Sequence, residues 1–148
     1  MPRLEFRLDL PGVPQDAIAA FHADPRVLEW LSPPEKKVHV VERPERIAEG
    51  ARIVIEAAPF GFPIRWVSRI EEWEPPVRFV DVQVKGPFSR WRHEHLFEDG
   101  ALIDRVDYEV PLAFAGGRLV DLAVVRPDLR RMFRFRHEAT AQRLLARR

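Results

Sequence analysis

The chain has 148 residues, of which 46% are hydrophobic and 32% are charged, and its formal net charge is +1. This length suits one domain with a single core, so we expect one domain over residues 1–148. The absence of cysteine excludes disulfide frameworks and thiolate sites. No run of about 20 apolar residues occurs, so we expect no membrane span. The N-terminus "MPRLEFRLDL" lacks the apolar core of a signal peptide, which favours a cytoplasmic protein.

The first elements are a strand and two short helices. Residues 3–10 alternate apolar and charged side chains, which is typical of a half-buried strand. The segment "PGVPQDAIAAFHADPRVLEWLSPP" then predicts two helices, with Pro14 in the first turn of one and Asp24 capping the other. The pair Pro33-Pro34 ends the second helix.

From residue 36 to residue 111 the pattern is that of strands. Six segments are rich in β-branched and aromatic residues and are separated by glycine and proline turns: "KKVHVVER", "ARIVIEAA", "PIRWVSRIEEW", "VRFVDVQV", "SRWRHEHLFE" and "ALIDRVDYEV". With the first strand they predict seven antiparallel strands.

A helical pattern returns after Gly116-Gly117. Pro127 divides it into a short helix and a long one, and the long one carries a stripe of buried residues: Leu129, Met132, Phe133 and Leu144. We therefore expect an α+β fold in which a curved seven-stranded antiparallel sheet wraps around a long C-terminal helix, with two short helices after the first strand. Because the helix is narrower than the curve of the sheet, a cavity is expected between them.

Asp99-Gly100 predicts a two-residue hairpin turn that sets the register of the last two strands. One face then pairs Phe97 with Leu102, His95 with Asp104, His93 with Val106, and Trp91 with Tyr108. The other face pairs Glu94 with Arg105, Arg92 with Asp107, and Arg90 with Glu109. Three successive opposite-charge pairs indicate that the second face meets solvent, so the two histidines point inward.

The preceding hairpin leaves two registers open. A turn at Gly86-Pro87 places Asp81 outside, opposite Arg92, and turns Val80, Val82 and Val84 inward. A turn one residue longer turns Asp81 and Gln83 inward instead. The match between Asp81 and Arg92 favours the first register.

The inward histidines allow three interpretations. A metal site would use His93, His95 and Asp104, but few ligands converge and Asp104 already faces His95, so we expect no metal and no cofactor. In a second interpretation Asp104 orients His95 and raises its pKa, and the pair acts as a catalytic acid–base pair. In the third, which we favour, the pair is structural or positions a ligand.

The inward residues also suit a small hydrophobic or aromatic ligand with one or two polar groups. The predicted ligand-binding residues are Trp66, Ser68, Val82, Trp91, His93, His95, Phe97, Val106, Tyr108 and Phe133. For the aromatic residues among them, packing against the C-terminal helix is the alternative role.

Charge is unevenly distributed along the chain. Residues 118–148 hold nine arginines and three acidic residues, a charge of +6, which leaves −5 over residues 1–117. Arg130, Arg131 and Arg134 could contact a partner or a membrane, although a solvated helix face is the interpretation we favour. We expect no nucleic acid as a partner, because helical spacing explains the aromatic residues of "RRMFRFRHE" as core.

Four segments together carry a resemblance to a known family: "AFHADPRVLEWLSPP", "FVDVQVKGPFSRWRHEHLFE", "DRVDYEVPL" and "RRMFRFRHE". They resemble the SRPBCC superfamily, also called START-like or helix-grip proteins, and in particular bacterial domains of the polyketide cyclase/dehydrase type. The resemblance implies a sheet that grips a C-terminal helix around a hydrophobic cavity. Because the superfamily includes lipid and sterol carriers, coenzyme-Q-binding proteins, aromatase/cyclases and cochaperones, it implies a cavity more firmly than a chemistry.

Three functions are therefore open. The first is binding of a small hydrophobic molecule of lipid, polyketide-like or isoprenoid-like character. The second is a cyclase, dehydratase or isomerase that uses His95 with Asp104. The third is an interaction module that uses the basic C-terminal helix.

Overall fold

The computed structural model describes residues 2–58, 61–111 and 116–146. Its strands are β1 (Arg3–Asp9), β2 (His39–Glu42), β3 (Arg52–Ala57), β4 (Ile64–Glu74), β5 (Arg78–Lys85), β6 (Arg90–Glu98) and β7 (Ala101–Glu109). Its helices are α1 (Gln15–His22), α2 (Val27–Trp30), α3 (Gly117–Val120) and α4 (Arg126–Leu145). A 3₁₀ turn spans Pro34–Lys36, and one π-helical turn, Asp121–Val125, joins α3 to α4.

The seven strands form one curved antiparallel sheet in the order β1-β7-β6-β5-β4-β3-β2. The first strand in the chain therefore lies beside the last, and α4 packs on the concave face. This arrangement confirms the predicted fold class. The prediction of one domain over residues 1–148 includes residues outside the described ranges and stays a prediction. None of the helices in the described part of the chain is long and apolar enough to cross a membrane.

The short helices close one end of the sheet. Ile18 of α1 is fully buried and packs with Leu10 and Leu102, and Val27 and Leu31 extend the same core. The Asp24 side chain accepts a hydrogen bond from the backbone N–H of Arg26, the residue before α2, at 3.0 Å. Asp24 therefore caps the turn that leads into α2, and the helix begins later than the sequence indicated.

The long helix buries one stripe of side chains. Pro127 lies in its first turn, as predicted, and its buried residues Leu129, Phe133, His137, Thr140 and Leu144 recur every three or four positions. The Phe133 ring stacks on Phe6 of β1 with centroids 4.6 Å apart. Each fully buried apolar side chain of this size contributes about 1.5–3 kcal/mol, so this stripe fixes α4 against the sheet.

The β6–β7 hairpin has the predicted register. His95 faces Asp104, His93 faces Val106, and Trp91 faces Tyr108. Gly100 has a φ of 76°, which suits the tight turn. On the opposite face Glu94 accepts a hydrogen bond from Arg105 at 2.8 Å. The charged pairs therefore mark the outer face, and the histidines lie on the inner one.

The favoured register of the β5–β6 hairpin is wrong. Asp81 pairs with His93, and Val82 pairs with Arg92, so the turn is one residue longer than charge matching indicated. The Gln83 side chain explains the longer turn, since it hydrogen-bonds both the N–H and the carbonyl of Phe88. Asp81 consequently turns inward and is satisfied by a buried histidine instead of Arg92.

Candidate functional site

A cavity of about 470 Å³ lies between the concave face of the sheet and α4. Most of its wall is apolar and comes from four elements: Val27 and Leu28 of α2, Ile53 and Ile55 of β3, Trp66 and Ile70 of β4, and Leu129 and Met132 of α4. This volume and lining are typical of pockets for small organic molecules.

Four of the polar side chains in this wall lie together on neighbouring strands. Asp81, His93, His95 and Asp104 all line the cavity, although strands β5, β6 and β7 supply them separately. The Cα register explains their proximity, because Asp81 pairs with His93 and Asp104 pairs with His95. We call these four residues, with His137 of α4, the polar cluster.

Asp104 is the centre of the cluster. Its Oδ1 accepts a hydrogen bond from His93 Nε2 at 2.6 Å, and its Oδ2 accepts one from His137 Nε2 at 2.6 Å. Burial alone would raise the pKa of Asp104, but the hydrogen bonds from His137 and His93 outweigh burial and hold the pKa well below its ordinary value. Asp104 is therefore a buried carboxylate with both oxygens occupied, and it ties α4 to the sheet.

His95 has a different partner from the one expected. Its Nε2 donates to Asp81 Oδ2 at 2.7 Å, whereas its Nδ1 is 3.7 Å from Asp104 Oδ1, too far for a hydrogen bond. The predicted His95–Asp104 acid–base pair is therefore wrong in its partner, because the longer β5–β6 turn brings Asp81 to the ring. The ring lies between those of Phe79 and His93, with centroid distances of 4.0 Å and 3.7 Å.

The ionisation of the His95–Asp81 pair follows from burial and from this contact. Burial, together with the nearby His93, lowers the pKa of His95 below its ordinary value. Burial would raise the pKa of Asp81, but the hydrogen bond from His95 and the charges of His93, His95 and Arg136 together outweigh burial and lower it. The buried Nδ1 of His95 has no hydrogen-bond partner among the described residues. A neutral His95 can therefore accept a proton at Nδ1 while Asp81 holds the ring.

His22 of α1 also lines the cavity. Its Nδ1 donates to the Ile18 carbonyl at 2.9 Å, and burial lowers its pKa to about 4. In the described part of the chain its buried Nε2 has no partner. His22 therefore presents a second neutral imidazole to the interior.

Among the residues that the structure describes, Asp81, His93 and His95 could hold a metal ion, with one ligand atom from each and all three atoms within 4.8 Å of one another. Asp81 takes the place that the sequence indicated for Asp104. However, His95 Nε2 already donates to Asp81, and the two imidazole rings are stacked with an interplanar angle of 27°. His93 Nε2 likewise donates to Asp104, so both imidazoles already belong to a hydrogen-bond network.

The structure places half of the predicted ligand-binding residues on the cavity wall: Trp66, Ser68, Trp91, His93 and His95. Val82 does not line it, because the corrected register turns this side chain to the outer face. Phe97, Val106 and Phe133 are buried in the packing between the sheet and the helices and do not line it either.

Tyr108 has a structural contact instead of a cavity position. It is fully buried, and its hydroxyl donates to Asp121 of the π-helical turn. Arg126 donates to the other Asp121 oxygen at 3.0 Å. Burial and the bond to Asp121 raise the pKa of Tyr108 above its ordinary value. Tyr108 therefore fixes the start of the C-terminal helical region to β7.

Three residues of the candidate site were not predicted from the sequence. The favoured β5–β6 register put Asp81 on the outer face, although the alternative register turned it inward, and His137 and Arg136 were not identified as site residues. His137 could have been found, because it follows Phe133 by four positions on the buried stripe of α4. Arg136 adjoins this stripe and lines the cavity.

The predicted contact arginines lie on the exposed face of α4. Arg130, Arg131 and Arg134 are all exposed, and Arg131 pairs with Asp128 of the same helix at 3.2 Å. The role of this face in partner or membrane contact stays a prediction.

Comparisons with known proteins identify the fold. No protein-family model matches the sequence, and no curated protein matches it. Solved structures do match over almost the whole chain. The protein TTHA0849 from Thermus thermophilus is 21% identical, covers 98% of both chains and has a TM-score of 0.70. The Zhui aromatase/cyclase from Streptomyces sp. R1128 is 19% identical, covers 99% of this chain and 94% of its own, and has a TM-score of 0.72. Ara h 8.0201 is 14% identical, covers 98% of both chains and has a TM-score of 0.64.

The protein has a helix-grip fold. At these identities the similarity shows the fold alone, and function has to be argued from the site.

Proposed function

We propose that the protein binds one small hydrophobic or aromatic molecule in the cavity between the sheet and α4. The observation that carries this proposal is the cavity of about 470 Å³, whose wall is mostly apolar and includes several polar side chains. Such a wall buries an apolar ligand and orients it through a few hydrogen bonds. The solved neighbours, which include an aromatase/cyclase, support a ligand of this kind.

We further propose that the chain belongs to the SRPBCC or START-like superfamily. The shared fold and the resemblance of its sequence segments support this assignment. Lipids, polyketide-like molecules and isoprenoids are the ligand classes that follow from it.

Filling the cavity tests the binding proposal. Ser68 of β4 lines the cavity, and its neighbour Arg69 is exposed. Ser68→Trp should weaken the binding of the neutral fluorescent probe N-phenyl-1-naphthylamine by at least about 10-fold, because the indole occupies the space of the ligand. Arg69→Trp adds the same side chain outside and should leave the affinity unchanged. Equal affinity in wild type and both variants would show that the probe binds elsewhere and would contradict the proposal.

A second candidate function is proton-transfer catalysis on the bound molecule. The observation that favours it is the His95–Asp81 pair, in which the carboxylate holds the ring and a neutral Nδ1 has no partner among the described residues. His95 would act as the general base, and Asp81 would position it. A cyclisation, dehydration or isomerisation that begins with removal of a proton fits this arrangement.

The enzyme proposal requires a measured turnover. His95→Gln should retain the affinity for a compound that the wild type converts and should lose the conversion. Asp81→Asn should shift the pH profile of kcat to lower pH, since His95 loses the contact that raises its pKa. Conversion by His95→Gln at the wild-type rate would contradict a catalytic role.

A further inference from the structure

Arg136 of α4 lies in the cavity wall, with its guanidinium beside the Phe133 ring. It forms no hydrogen bond or ion pair with any side chain in residues 2–58, 61–111 or 116–146. Its Nε is inaccessible to solvent and has no acceptor within that set. A guanidinium has five N–H donors and keeps its charge at neutral pH. A partly buried cation of this kind without an acceptor is costly, so its natural complement is an anion from outside the protein.

The polar cluster explains why Arg136 is unpartnered within the described residues. Asp81 and Asp104 are close enough for their charges to act on Arg136. However, His93 and His137 occupy the two oxygens of Asp104 at 2.6 Å each. Asp81 Oδ2 accepts the hydrogen bond of His95 at 2.7 Å. The histidines thus bind the carboxylates that would otherwise pair with the arginine.

We propose that Arg136 is the anion-binding residue of the cavity and that the ligand is a hydrophobic molecule with a carboxylate group. This inference rests on the proposed binding function, and it adds the chemical class of the ligand. The carboxylate lies against the guanidinium, and the apolar body lies along the walls formed by β3, β4 and α2.

The geometry favours a carboxylate over other polar groups. A guanidinium donates two parallel hydrogen bonds to a carboxylate, and a low-dielectric wall strengthens this contact. The Phe133 ring supports the group from one side, with Cζ 5.3 Å from the ring centroid, and so limits its rotation. An alternative role for Arg136 is to balance the charge of Asp81 and Asp104 at a distance, and that role predicts no preference for anionic ligands.

Two isosteric probes separate these roles. Calorimetric titration at pH 7 compares 2-naphthoate, an anion, with 2-naphthamide, which has the same shape and no charge. The wild type should bind 2-naphthoate about 10- to 100-fold more tightly, the range expected for a charge-assisted hydrogen-bonded pair. Arg136→Gln should abolish this preference, and Arg136→Lys should retain part of it because the charge stays and the planar fork is lost. Arg69→Gln on the outer face of β4 should keep the full preference.

The outcomes distinguish this inference from the function on which it rests. Equal wild-type affinity for the two probes, or a preference that persists in Arg136→Gln, overturns the role of Arg136 and leaves the cavity proposal intact, provided that Ser68→Trp still blocks binding. If Ser68→Trp blocks neither probe, the cavity proposal fails and this inference fails with it. The comparison of probes on the wild type does not depend on whether the Arg136 variants fold.

Discussion

His95 and Asp104 lie directly opposite each other in the β6–β7 ladder, yet no hydrogen bond joins their side chains. The nearest atoms, Nδ1 and Oδ1, are 3.7 Å apart. His95 instead donates to Asp81 on β5, and Asp104 accepts from His93 and from His137 on α4. Two histidine–carboxylate units therefore lie side by side, and they differ in their contacts. The Asp104 unit joins the helix to the sheet, and the His95–Asp81 unit has a nitrogen without a partner among the described residues.

This pairing predicts which substitution changes the pKa of His95 more. Asp81→Asn should lower the pKa of His95 further, because the Asp81 hydrogen bond and charge are what raise it. Asp104→Asn should lower the pKa of His95 by less, since Asp104 acts on this ring only through its charge. Imidazole ¹⁵N NMR titrations of the two variants measure both shifts. A larger change in the pKa of His95 in Asp104→Asn than in Asp81→Asn would contradict the pairing of His95 with Asp81.

Asp104→Asn should destabilise the protein by about 1–3 kcal/mol, because an amide cannot accept hydrogen bonds from two imidazoles with both of its polar atoms. Thermal or urea unfolding at pH 7 measures the loss. Asp16→Asn on the exposed side of α1 is the control and should change stability by less than about 0.5 kcal/mol. Equal stability of the two variants would show that Asp104 does not tie α4 to the sheet.

His22 predicts a loss of stability in mild acid. Its pKa is about 4 in the folded protein and about 6.5 when unfolded, so the unfolded chain binds more protons between these values. The contribution of His22 to the free energy of unfolding is complete above pH 6.5. It is lost as the pH falls towards 4, by an amount on the order of 3 kcal/mol. The lowered pKa of His95 acts in the same direction.

Urea unfolding between pH 7.5 and pH 4 measures how the free energy of unfolding changes with pH. His22→Gln should flatten this dependence, whereas His39→Gln, at an exposed position in β2, should keep the wild-type slope. A wild-type stability that is constant from pH 7 to pH 4.5 would contradict a neutral buried His22.

Tyr108→Phe should loosen the π-helical turn without disturbing the sheet. The substitution removes the donor to Asp121, whose other oxygen keeps its contact with Arg126. The cost should be about 1.5–3 kcal/mol, as for hydrogen bonds to charged groups. Hydrogen–deuterium exchange should rise in α3 and the π-helical turn and stay unchanged in β6. An equal rise in exchange in all elements, β6 included, would show that the effect of the Tyr108 contact is not local.

Much of the fold could be predicted from patterns along the chain. Strand alternation, the Asp99-Gly100 turn and the opposite-charge pairs of β6 and β7 gave the right hairpin register, since each depends on neighbouring residues. Pro127 likewise marked the start of α4. The β5–β6 turn could not be predicted in this way, because Gln83 fixes it through a contact with Phe88.

The site was harder to predict because distant elements build it. The inward direction of His93 and His95 followed from one hairpin. Their partners come from elsewhere: the register of β5 against β6 brings Asp81 to them, and the packing of α4 on the sheet brings His137 to Asp104. The absence of a partner for Arg136 among the described residues is a property of the folded protein that no spacing in the sequence records.

Native mass spectrometry of the protein purified from its own cells tests the central claim, that the cavity holds a small hydrophobic molecule. Wild type should carry one such molecule per chain, denaturation should release it, and Ser68→Trp should lack it while Arg69→Trp retains it. A wild-type mass that is the same before and after denaturation, or the same bound molecule in Ser68→Trp, would show that the cavity does not hold such a ligand.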